Sequence, residues 1–327
     1  MSDRIKFADA TSQQIESWDR FIDGSVNGTI FHKRDFLGYH GSRFEKTARW
    51  MVALKDDIPI AQITYAVSEE SDGRLVAASP YGASYGGLVF GKVPGYAASR
   101  DLIAAVIAHC RTEKFDTFTV TPPISCHNKG NMDTYTFALL EQGFRSINRD
   151  VSSVVPIEID KPTNEIISSR ARRNSRKAIA NGVTVTLGAP IDDFWVPMET
   201  TFTRHETRPT HERHQLVDLM QRLPGRIRLD VAYLDGDPVA GVGVFLVNSR
   251  AALSFYLCQC PAGESVQALT LAVQISMDRC QSDGYSFFDM GTSSVGMKAR
   301  ENIFRFKEGF SSVGYFRETF EWNAANE

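Results

Sequence analysis

The sequence lacks any apolar run of the length that a membrane span requires. Its first residues, MSDRIKFADATSQQ, also lack the apolar core of a signal peptide. It has only five cysteines, an odd number without the spacing of metal ligands, which indicates a reducing compartment. We therefore expect a cytoplasmic protein that holds no metal and has no membrane partner.

The chain also lacks a strong excess of charge of either sign. Its 36 basic and 39 acidic residues give a formal net charge of −3, which by itself indicates neither nucleic acid nor a membrane as a partner. There is no low-complexity segment and no heptad run long enough for a coiled-coil arm. With 327 residues, of which 23% are charged and 43% hydrophobic, the chain suits a globular protein of two domains.

What the chain does contain is a repeat. Residues 52–61 align with residues 231–240 at five of ten positions, and residues 110–118 align with residues 280–288 in the same order. This pattern predicts a duplicated domain, with halves at residues 1–155 and 156–327 and a last strand that could return to the first half. Clefts between such halves are common ligand sites. The alternative is that both stretches are generic strand–turn–strand sequence.

The order of the predicted elements favours an α/β fold. Each half gives helices, an antiparallel strand pair, a further strand, a helix and a parallel strand, which together predict mixed central sheets flanked by helices. In the first half, a capping box of Thr11 and Gln14 begins a helix that includes Ile22. In the second half, a helix is predicted over residues 165–181 and a partly buried loop around Lys307.

One candidate site follows a predicted strand over residues 286–290. The strand ends in a segment with a carboxylate, hydroxyls and free backbone N–H groups: Asp289, Gly291, Thr292 and Ser293. In open α/β sheets, ligands bind at this carboxyl end of the strands. Lys307 is bracketed by two phenylalanines and could neutralise a phosphate or a developing oxyanion. The alternative is a surface loop and an ordinary aspartate cap.

A second candidate site is a basic run within the helix predicted over residues 165–181. Arg173, Arg176 and Lys177 are expected to bind an anionic substrate group, because the planar guanidinium suits a phosphate or pyrophosphate. Arg170 lies on the same helical stripe as Arg173 and Lys177. The alternative is a solvated helix face, and no nearby aromatic residues favour stacking on nucleic-acid bases.

Residues 205–214 hold three of the seven histidines. They do not form a His-Glu-x-x-His zinc motif, and Pro209 interrupts any helix there. We expect a polar loop that lines a pocket, with His205 and Glu206 as proton acceptors and Arg208 as a substrate-binding residue. Tyr256, on a strand predicted over residues 252–259, is assigned to substrate binding as well.

A glycine-rich segment covers residues 80–91. It lacks the lysine of a phosphate-binding loop and does not match a dinucleotide fingerprint. Its Tyr81 and Tyr85 are predicted to form a pocket wall that contacts substrate, because each has an apolar face and a hydroxyl. A wide hairpin bend between core strands is the alternative.

Taken together, these segments resemble the FemAB-like acyltransferases, tandem GNAT-fold proteins related to the nonribosomal peptidyltransferases of peptidoglycan bridge synthesis. The duplication is what this family implies. The matching segments follow the family's order over almost the whole chain: residues 29–32 with 36–37, 79–87, 172–178 with 182–183, 289–293 and 306–310.

The resemblance implies transfer of an acyl group to an amine, with Lys307 at the acyl-transfer site. It places the pyrophosphate of the donor at the N-terminus of the helix after the fourth strand, where free N–H groups favour an anion. In this chain that position corresponds to four residues: Cys260, Ala262, Gly263 and Ser265. The segment lacks the usual Gln/Arg-x-x-Gly-x-Gly/Ala loop, and Glu264 disfavours a phosphate.

Because the chain is slightly acidic and has no coiled-coil arm, the resemblance favours acyl-CoA as a co-substrate over aminoacyl-tRNA. The expected acceptor is the amine of an amino sugar, linked to dTDP or UDP, in cell-surface glycan biosynthesis. Asp289, Glu206 and His205 are candidate bases, and Lys307 is a candidate oxyanion stabiliser.

The protein is expected to act on small molecules as a monomer or a homodimer. Two alternatives stay open: an aminoacyl-tRNA-dependent peptidyltransferase of peptidoglycan bridge formation, and a non-catalytic binding protein that keeps the fold.

Overall fold

The structure is a computed structural model that describes residues 5–326 of the chain. Strands and helices, some short and some long, occur throughout this range. In chain order, the strands are β1 (Lys6–Asp9), β2 (Ala48–Lys55), β3 (Ile58–Glu69), β4 (Leu75–Ser79), β5 (Val89–Phe90), β6 (Thr117–Val120), β7 (Arg145–Pro156), β8 (Thr184–Thr186), β9 (Ile227–Leu234), β10 (Asp237–Leu246), β11 (Ala251–Gln259), β12 (Phe287–Thr292), β13 (Ser294–Val295), β14 (Lys298–Ala299) and β15 (Val313–Asn323).

The helices vary from one turn to 17 residues in α4. In chain order, they are α1 (Ser12–Glu16), α2 (Trp18–Gly24), α3 (Arg34–Leu37), α4 (Tyr96–Thr112), α5 (Asp133–Glu141), α6 (Thr163–Ile166), α7 (Ser169–Ala180), α8 (Ile191–Arg204), α9 (Arg213–Arg222), α10 (Pro261–Val266), α11 (Ala268–Ser282) and α12 (Glu301–Glu308). None of these helices is long and apolar enough to cross a membrane.

The chain divides into two units. The N-terminal unit comprises the described residues up to Asp150 together with those from Phe316 onward, and the C-terminal unit comprises Val151–Tyr315. In the N-terminal unit the strand order is β1-β2-β3-β4-β6, and β6 then pairs antiparallel with the end of β15. Because β4 and β6 are parallel while the other pairs are antiparallel, the sheet is mixed.

The C-terminal unit has a sheet of the same kind. Its strand order is β7-β12-β11-β10-β9-β8, in which only β11 and β12 are parallel. Helix α11 packs against β9, β10 and α7, and its buried residues form the centre of the core of this unit. The predicted α/β fold, with mixed sheets and flanking helices, is confirmed.

The first repeated segment forms the same hairpin in both units. Asp56 and Asp57 join β2 to β3 with φ values of 51° and 60°, and Asp235 and Gly236 join β9 to β10 with φ values of 53° and 91°. Two consecutive residues with positive φ are characteristic of the type I′ turn, which matches the twist of a two-residue hairpin. The aligned sequences therefore adopt the same turn.

The resemblance between the units continues on both sides of that turn. The register of each hairpin skips one residue, Ile60 in β3 and Val239 in β10, and these two residues are aligned in the sequence repeat. In the two copies of the second repeated segment, Lys114 and Gly284 follow the end of a helix and occupy the same aligned position, with φ values of 59° and 85°. Shared bulges and shared left-handed residues support a duplication rather than generic hairpin sequence.

Two of the predicted helices are interrupted. The capping box at Thr11 is confirmed, because its Oγ1 accepts the N–H of Gln14 at 3.3 Å and its own N–H donates to Gln14 Oε1 at 2.8 Å. The helix it begins ends at Glu16, and α2 starts anew at Trp18. The helix predicted over residues 165–181 is likewise two helices, because Ser168 adopts an extended conformation and caps α7.

Candidate functional site

The parallel strands β11 and β12 pair over only three residues each. Ala251 to Leu253 pair with Phe287 to Asp289, and within the described chain the two strands are not joined beyond that point. The register of β11 with β10 skips Phe255, so a bulge bends β11 just after the strands part. The carboxyl end of β12 therefore lies beside an opening in the sheet, which is the position where α/β sheets bind ligands.

Asp289 holds the turn that follows this opening. Its side chain is fully buried, and Oδ1 accepts hydrogen bonds from the Ser152 hydroxyl and from the backbone N–H of Gly291, both at 2.7 Å. Gly291 has a φ of 76°, a left-handed conformation that favours glycine. The carboxylate thus closes an Asx turn within β12, at the point where the register of β12 with β7 shifts between Asp289 and Thr292.

Lys307 lies in the last turn of α12, so the prediction of a loop around it is wrong. Phe306 and Phe310, which suggested a loop between two buried anchors, are four residues apart and pack on each other with ring centroids 5.3 Å apart. Phe306 is in the last turn of α12 and Phe310 lies two residues beyond its end, so the contact joins the helix to the segment that follows it. The contact between these two phenylalanines therefore orders the end of the helix that carries Lys307.

The ammonium of Lys307 is held by two backbone carbonyls. Its Nζ donates to the carbonyl oxygens of Gly291 and Thr292, each at 2.8 Å, and the residue is only 5% exposed. Burial lowers the pKa of Lys307 to about 8, and the nearby charge of Asp289 opposes part of that shift. Lys307 is therefore mostly cationic at neutral pH and can lose its proton slightly above it.

Hydroxyl groups fill the space next to this turn. The Ser153 and Ser293 hydroxyls lie 2.7 Å apart, and the Ser293 N–H donates to the Val151 carbonyl at 2.7 Å. The Ser294 hydroxyl accepts the Val151 N–H at 2.8 Å. Ser293 therefore faces the interior, whereas Thr292 is exposed.

A pocket of about 400 Å³ opens beside the first two turns of α7. It is lined by three arginines, one acidic residue and two neutral polar residues: Arg172, Arg173, Arg176, Glu165, Asn164 and Ser169. The Arg172 guanidinium is anchored by its Nη1, which donates to the Asn164 carbonyl at 3.0 Å. In the described chain, none of these three arginines has a carboxylate at ion-pair distance, so the pocket is suited to an anion.

The structure brings together two of the three basic residues that the sequence assigns to anion binding. Arg173 and Arg176 line the pocket, whereas Lys177 donates from its Nζ to the Ser265 carbonyl at 2.8 Å. The Ser168 N–H, at the start of α7, donates to the Gly309 carbonyl at 3.0 Å, two residues after Lys307. The helix of the basic pocket is therefore fixed to the helix of the buried lysine.

The predicted donor segment forms the start of α10. Cys260 is its N-cap, and the Cys260 N–H is already used by the Val239 carbonyl at 2.8 Å. Gly263 packs so closely that a Cβ there would lie 2.4 Å from the same carbonyl oxygen. Gly263 is thus required by packing against β10.

Charged side chains compensate one another around this segment. The Glu264 carboxylate, which disfavours a phosphate, forms an ion pair with Arg204 at 2.8 Å. Lys177 contacts Ser265 as described, and the Ser265 hydroxyl donates to the Ala262 carbonyl at 2.8 Å. Both charges on Glu264 and Arg204 are exposed, so their interaction is weak and can be displaced.

The histidine-rich segment places its predicted residues at the surface. His205 and Glu206 follow the end of α8, and Arg208 comes two residues later; all three are exposed. Glu206 has a φ of 52°, which turns the chain away from the helix. Within residues 5–326, no three His, Cys, Asp or Glu side chains are placed to hold a metal ion.

Tyr256 contacts a histidine that the sequence reasoning did not assign. His211 is buried, and its Nδ1 lies 2.7 Å from the Tyr256 hydroxyl, which also accepts the His211 N–H at 3.1 Å. The His211 ring packs on the aromatic rings of Phe245 and Phe255. Charged neighbours in the sequence concealed this burial, and the alternation of β11 gave the only signal that Tyr256 faces inward.

Tyr81 and Tyr85 lie in the N-terminal unit and are buried there. The Tyr81 ring packs edge-on against Phe44, with ring centroids 4.9 Å apart, and burial raises the pKa of the Tyr81 hydroxyl. Tyr85 packs against Phe31 at 5.8 Å, and the Arg317 guanidinium lies 5.6 Å from its ring centroid. In this unit both tyrosines are part of the packed interior.

Residues 168–307 match a family model described as "Acetyltransferase (GNAT) domain". The matched range begins at the cap of α7 and ends at Lys307, so it contains both the basic pocket's helix and the turn at Asp289. No curated protein sequence matches the chain.

Several solved structures share the fold over nearly the full chain. FemX matches with a TM-score of 0.72 at 12% identity, covering 97% of both chains. The C-terminal domain of a putative lysylphosphatidylglycerol synthetase from Agrobacterium fabrum has a TM-score of 0.59 at 12% identity, covering 97% of this chain and 94% of that one. A tandem GNAT protein from the clavulanic acid biosynthesis pathway has a TM-score of 0.56 at 13% identity, with 98% and 99% covered.

Proposed function

From the FemAB-like tandem GNAT fold of this chain, we propose that it is an N-acyltransferase that transfers an acyl group from acyl-CoA to the amine of an amino sugar. We further propose that the sugar is linked to dTDP or UDP and serves cell-surface glycan biosynthesis. The observation that carries the proposal is the buried ammonium of Lys307 at the opening between β11 and β12, within the range that matches a GNAT domain.

The chemistry of acyl transfer fits a fixed cation at this place. When the amine attacks the thioester, its lone pair forms the C–N bond and the carbonyl π electrons move to oxygen, which becomes an oxyanion. A preorganised donor in a site of low dielectric stabilises that charge, and removal of one such donor costs about 10²–10³ in kcat. The intermediate then expels the coenzyme A thiolate. Lys307 supplies the donor.

The attacking nitrogen must also lose a proton. His205 and Glu206 are exposed at the end of α8, and we propose them as its acceptors, directly or through water. Asp289 is the third candidate base. Replacement of Glu206 by Gln and of His205 by Asn, singly and together, tests whether the chain provides a base, since a proton acceptor contributes about 10²–10⁴ to the rate.

We assign the basic pocket of α7 to the pyrophosphate of the acceptor. Arg173 and Arg176 offer guanidinium groups without a protein carboxylate at ion-pair distance in the described chain, and hydrogen bonds to charged groups contribute about 1.5–3 kcal/mol each. Two such bonds total about 3–6 kcal/mol, so the Arg173→Ala/Arg176→Ala double variant should raise the KM for the nucleotide-linked amino sugar by about 10²-fold or more, with little change for acyl-CoA.

The matched control for that variant is Arg222→Ala. Arg222 is an exposed arginine on α9 that pairs with Asp218, so its removal takes one positive charge from the same unit without touching the pocket. An unchanged acceptor KM in the double variant would contradict the assignment. A KM that rises equally in the control would show a general effect of charge instead.

An aminoacyl-tRNA-dependent peptidyltransferase is the second candidate, and the likeness to FemX favours it. The two candidates differ in the donor. Transfer that stops on addition of ribonuclease and needs no coenzyme A thioester would identify the peptidyltransferase. Release of free thiol from acetyl-CoA, dependent on an amino sugar and insensitive to ribonuclease, would identify the acyl-CoA enzyme.

A further inference from the structure

Asp289 connects to Lys307 through a continuous set of hydrogen bonds. The Ser152 hydroxyl and the Gly291 N–H both donate to Asp289 Oδ1, and the carbonyl of Gly291 accepts from Lys307 Nζ. The carbonyl of Thr292, the next residue, is the second acceptor. The carboxylate therefore controls the turn that presents both acceptors to the lysine.

The burial of Asp289 argues for a role through its neighbour rather than for direct proton transfer. A general base must reach the proton it removes, within about 2.6–3.2 Å or through one water. Asp289 is 0% exposed, and one of its oxygens already accepts two hydrogen bonds of 2.7 Å.

The hydrogen bonds of Lys307 leave one direction open. An ammonium group has three N–H donors, and two of them are taken by the carbonyls of Gly291 and Thr292. The third N–H has no acceptor in the described part of the chain. Because the first two bonds fix the rotation of the group, the third N–H points in one defined direction.

We propose that Asp289 is a positioning residue: it locks the turn whose two carbonyls take two N–H groups of Lys307, so that the third is directed at the oxyanion. This inference rests on the proposed acyl transfer. No proton leaves Lys307 in the step; its N–H donates a hydrogen bond while the C–N bond forms and the carbonyl electrons move to oxygen. Ser152 donates to the same carboxylate oxygen as the Gly291 N–H and so helps to hold it in place.

A double-mutant cycle between Asp289 and Lys307 tests the proposal. Lys307→Met should lower kcat about 10²–10³-fold, as loss of one oxyanion donor does, and Asp289→Ala should lower it by an order of magnitude or more. If Asp289 acts through Lys307, Asp289→Ala should have almost no further effect in the Lys307→Met background. Losses that multiply would overturn the proposal and return Asp289 to the role of base.

A second measurement needs no substrate and so separates this inference from the proposed function. The ionisation of Lys307 can be followed by competitive labelling with acetic anhydride over a range of pH, read out by mass spectrometry. Asp289→Asn removes the charge but keeps an oxygen for the Ser152 and Gly291 donors, whereas Asp289→Ala removes the charge and the acceptor together. If the carboxylate locks the turn, the pKa of Lys307 should differ between these two variants. Equal pKa values of Lys307 in the two variants would overturn the proposal even if the enzyme proved active.

The matched control is Glu308→Gln, which removes an exposed carboxylate next to Lys307 in sequence. It should leave the labelling curve of Lys307 unchanged. Ser152→Ala removes one of the two donors to the Asp289 carboxylate and keeps its charge, so it should lower kcat less than Asp289→Ala does. Circular dichroism and urea unfolding confirm that each variant compared in kcat is folded.

Discussion

The buried ammonium of Lys307 should make the stability of the protein depend on pH in a specific direction. Its pKa is about 8 in the folded protein, against an ordinary value of 10.5. Between these values the unfolded chain binds a proton at this lysine that the folded protein has lost. Stability rises with pH wherever the unfolded state binds more protons, so this lysine contributes an increase as the pH passes from about 8 to 10.5.

The size of the effect follows from the shift. Each pKa unit corresponds to about 1.4 kcal/mol, so the contribution should grow by roughly 2–3 kcal/mol between pH 7 and pH 10. Lys307→Met removes the titrating group while keeping a chain of similar length. The free energy of unfolding of the wild type, minus that of Lys307→Met, should therefore increase by roughly that amount over the same interval.

Urea denaturation followed by circular dichroism at pH 7, 8, 9 and 10 measures this difference. Tyrosines and other groups that titrate at high pH are common to both proteins and cancel in the subtraction. Lys298→Met removes an exposed lysine from the same unit and is the matched control; its difference from the wild type should stay constant. A flat difference for Lys307→Met, or one that falls with pH, would refute the account of a desolvated ammonium.

Two further predictions follow from the same geometry. If Lys307 acts as a cationic donor, kcat should fall as the pH rises through about 8. A lysine that acts as a base would instead give a kcat that rises through the same pH. A pH–rate profile separates the two roles. Gly263→Ala should lower the melting temperature by the equivalent of about 1–3 kcal/mol, because its Cβ would lie 2.4 Å from the Val239 carbonyl oxygen. Gly24→Ala, at the end of α2, where nothing lies within 4 Å of the added Cβ and φ is not positive, is its control for packing; equal losses in the two variants would mean that crowding is not the cause.

Sequence reasoning predicted the features that depend on local pattern. The repeat between residues 52–61 and 231–240 predicted a duplication, and the structure gives both segments the same turn and the same bulge. The strand predicted over residues 286–290 corresponds to β12 at Phe287–Thr292. These predictions succeed because two-residue turns and apolar alternation are encoded within a few positions.

Features that depend on contacts distant in sequence were not predictable. Asp289 was a carboxylate at a strand end, and nothing nearby in sequence indicates that Ser152, 137 residues earlier, would donate to it. Lys307 was expected in a loop because Phe306 and Phe310 bracket it, whereas the two rings pack on each other at the end of α12. The burial of His211 depends on aromatic residues of β10 and β11.

The basic run on α7 was likewise predicted only in part. Helical periodicity correctly placed arginines along α7, but it grouped Lys177 with Arg173. In the structure, Lys177 extends to the Ser265 carbonyl instead. The pocket is lined in addition by Arg172, Asn164 and Glu165. The helix break at Ser168 positions Asn164 against α7. It arises because Ser168 is the N-cap of α7, which the spacing of the basic residues does not predict.

The most direct test of the account is thiol release from acetyl-CoA by the wild type and by Lys307→Met, with dTDP- and UDP-linked amino sugars as acceptors and the product followed by mass spectrometry. The account predicts thiol release that requires both substrates, a product heavier by one acetyl group, and a rate about 10²–10³ lower in Lys307→Met. Equal rates in the two proteins would contradict the central role of Lys307. No thiol release with any amino sugar, together with ribonuclease-sensitive transfer from aminoacyl-tRNA, would contradict the choice of donor.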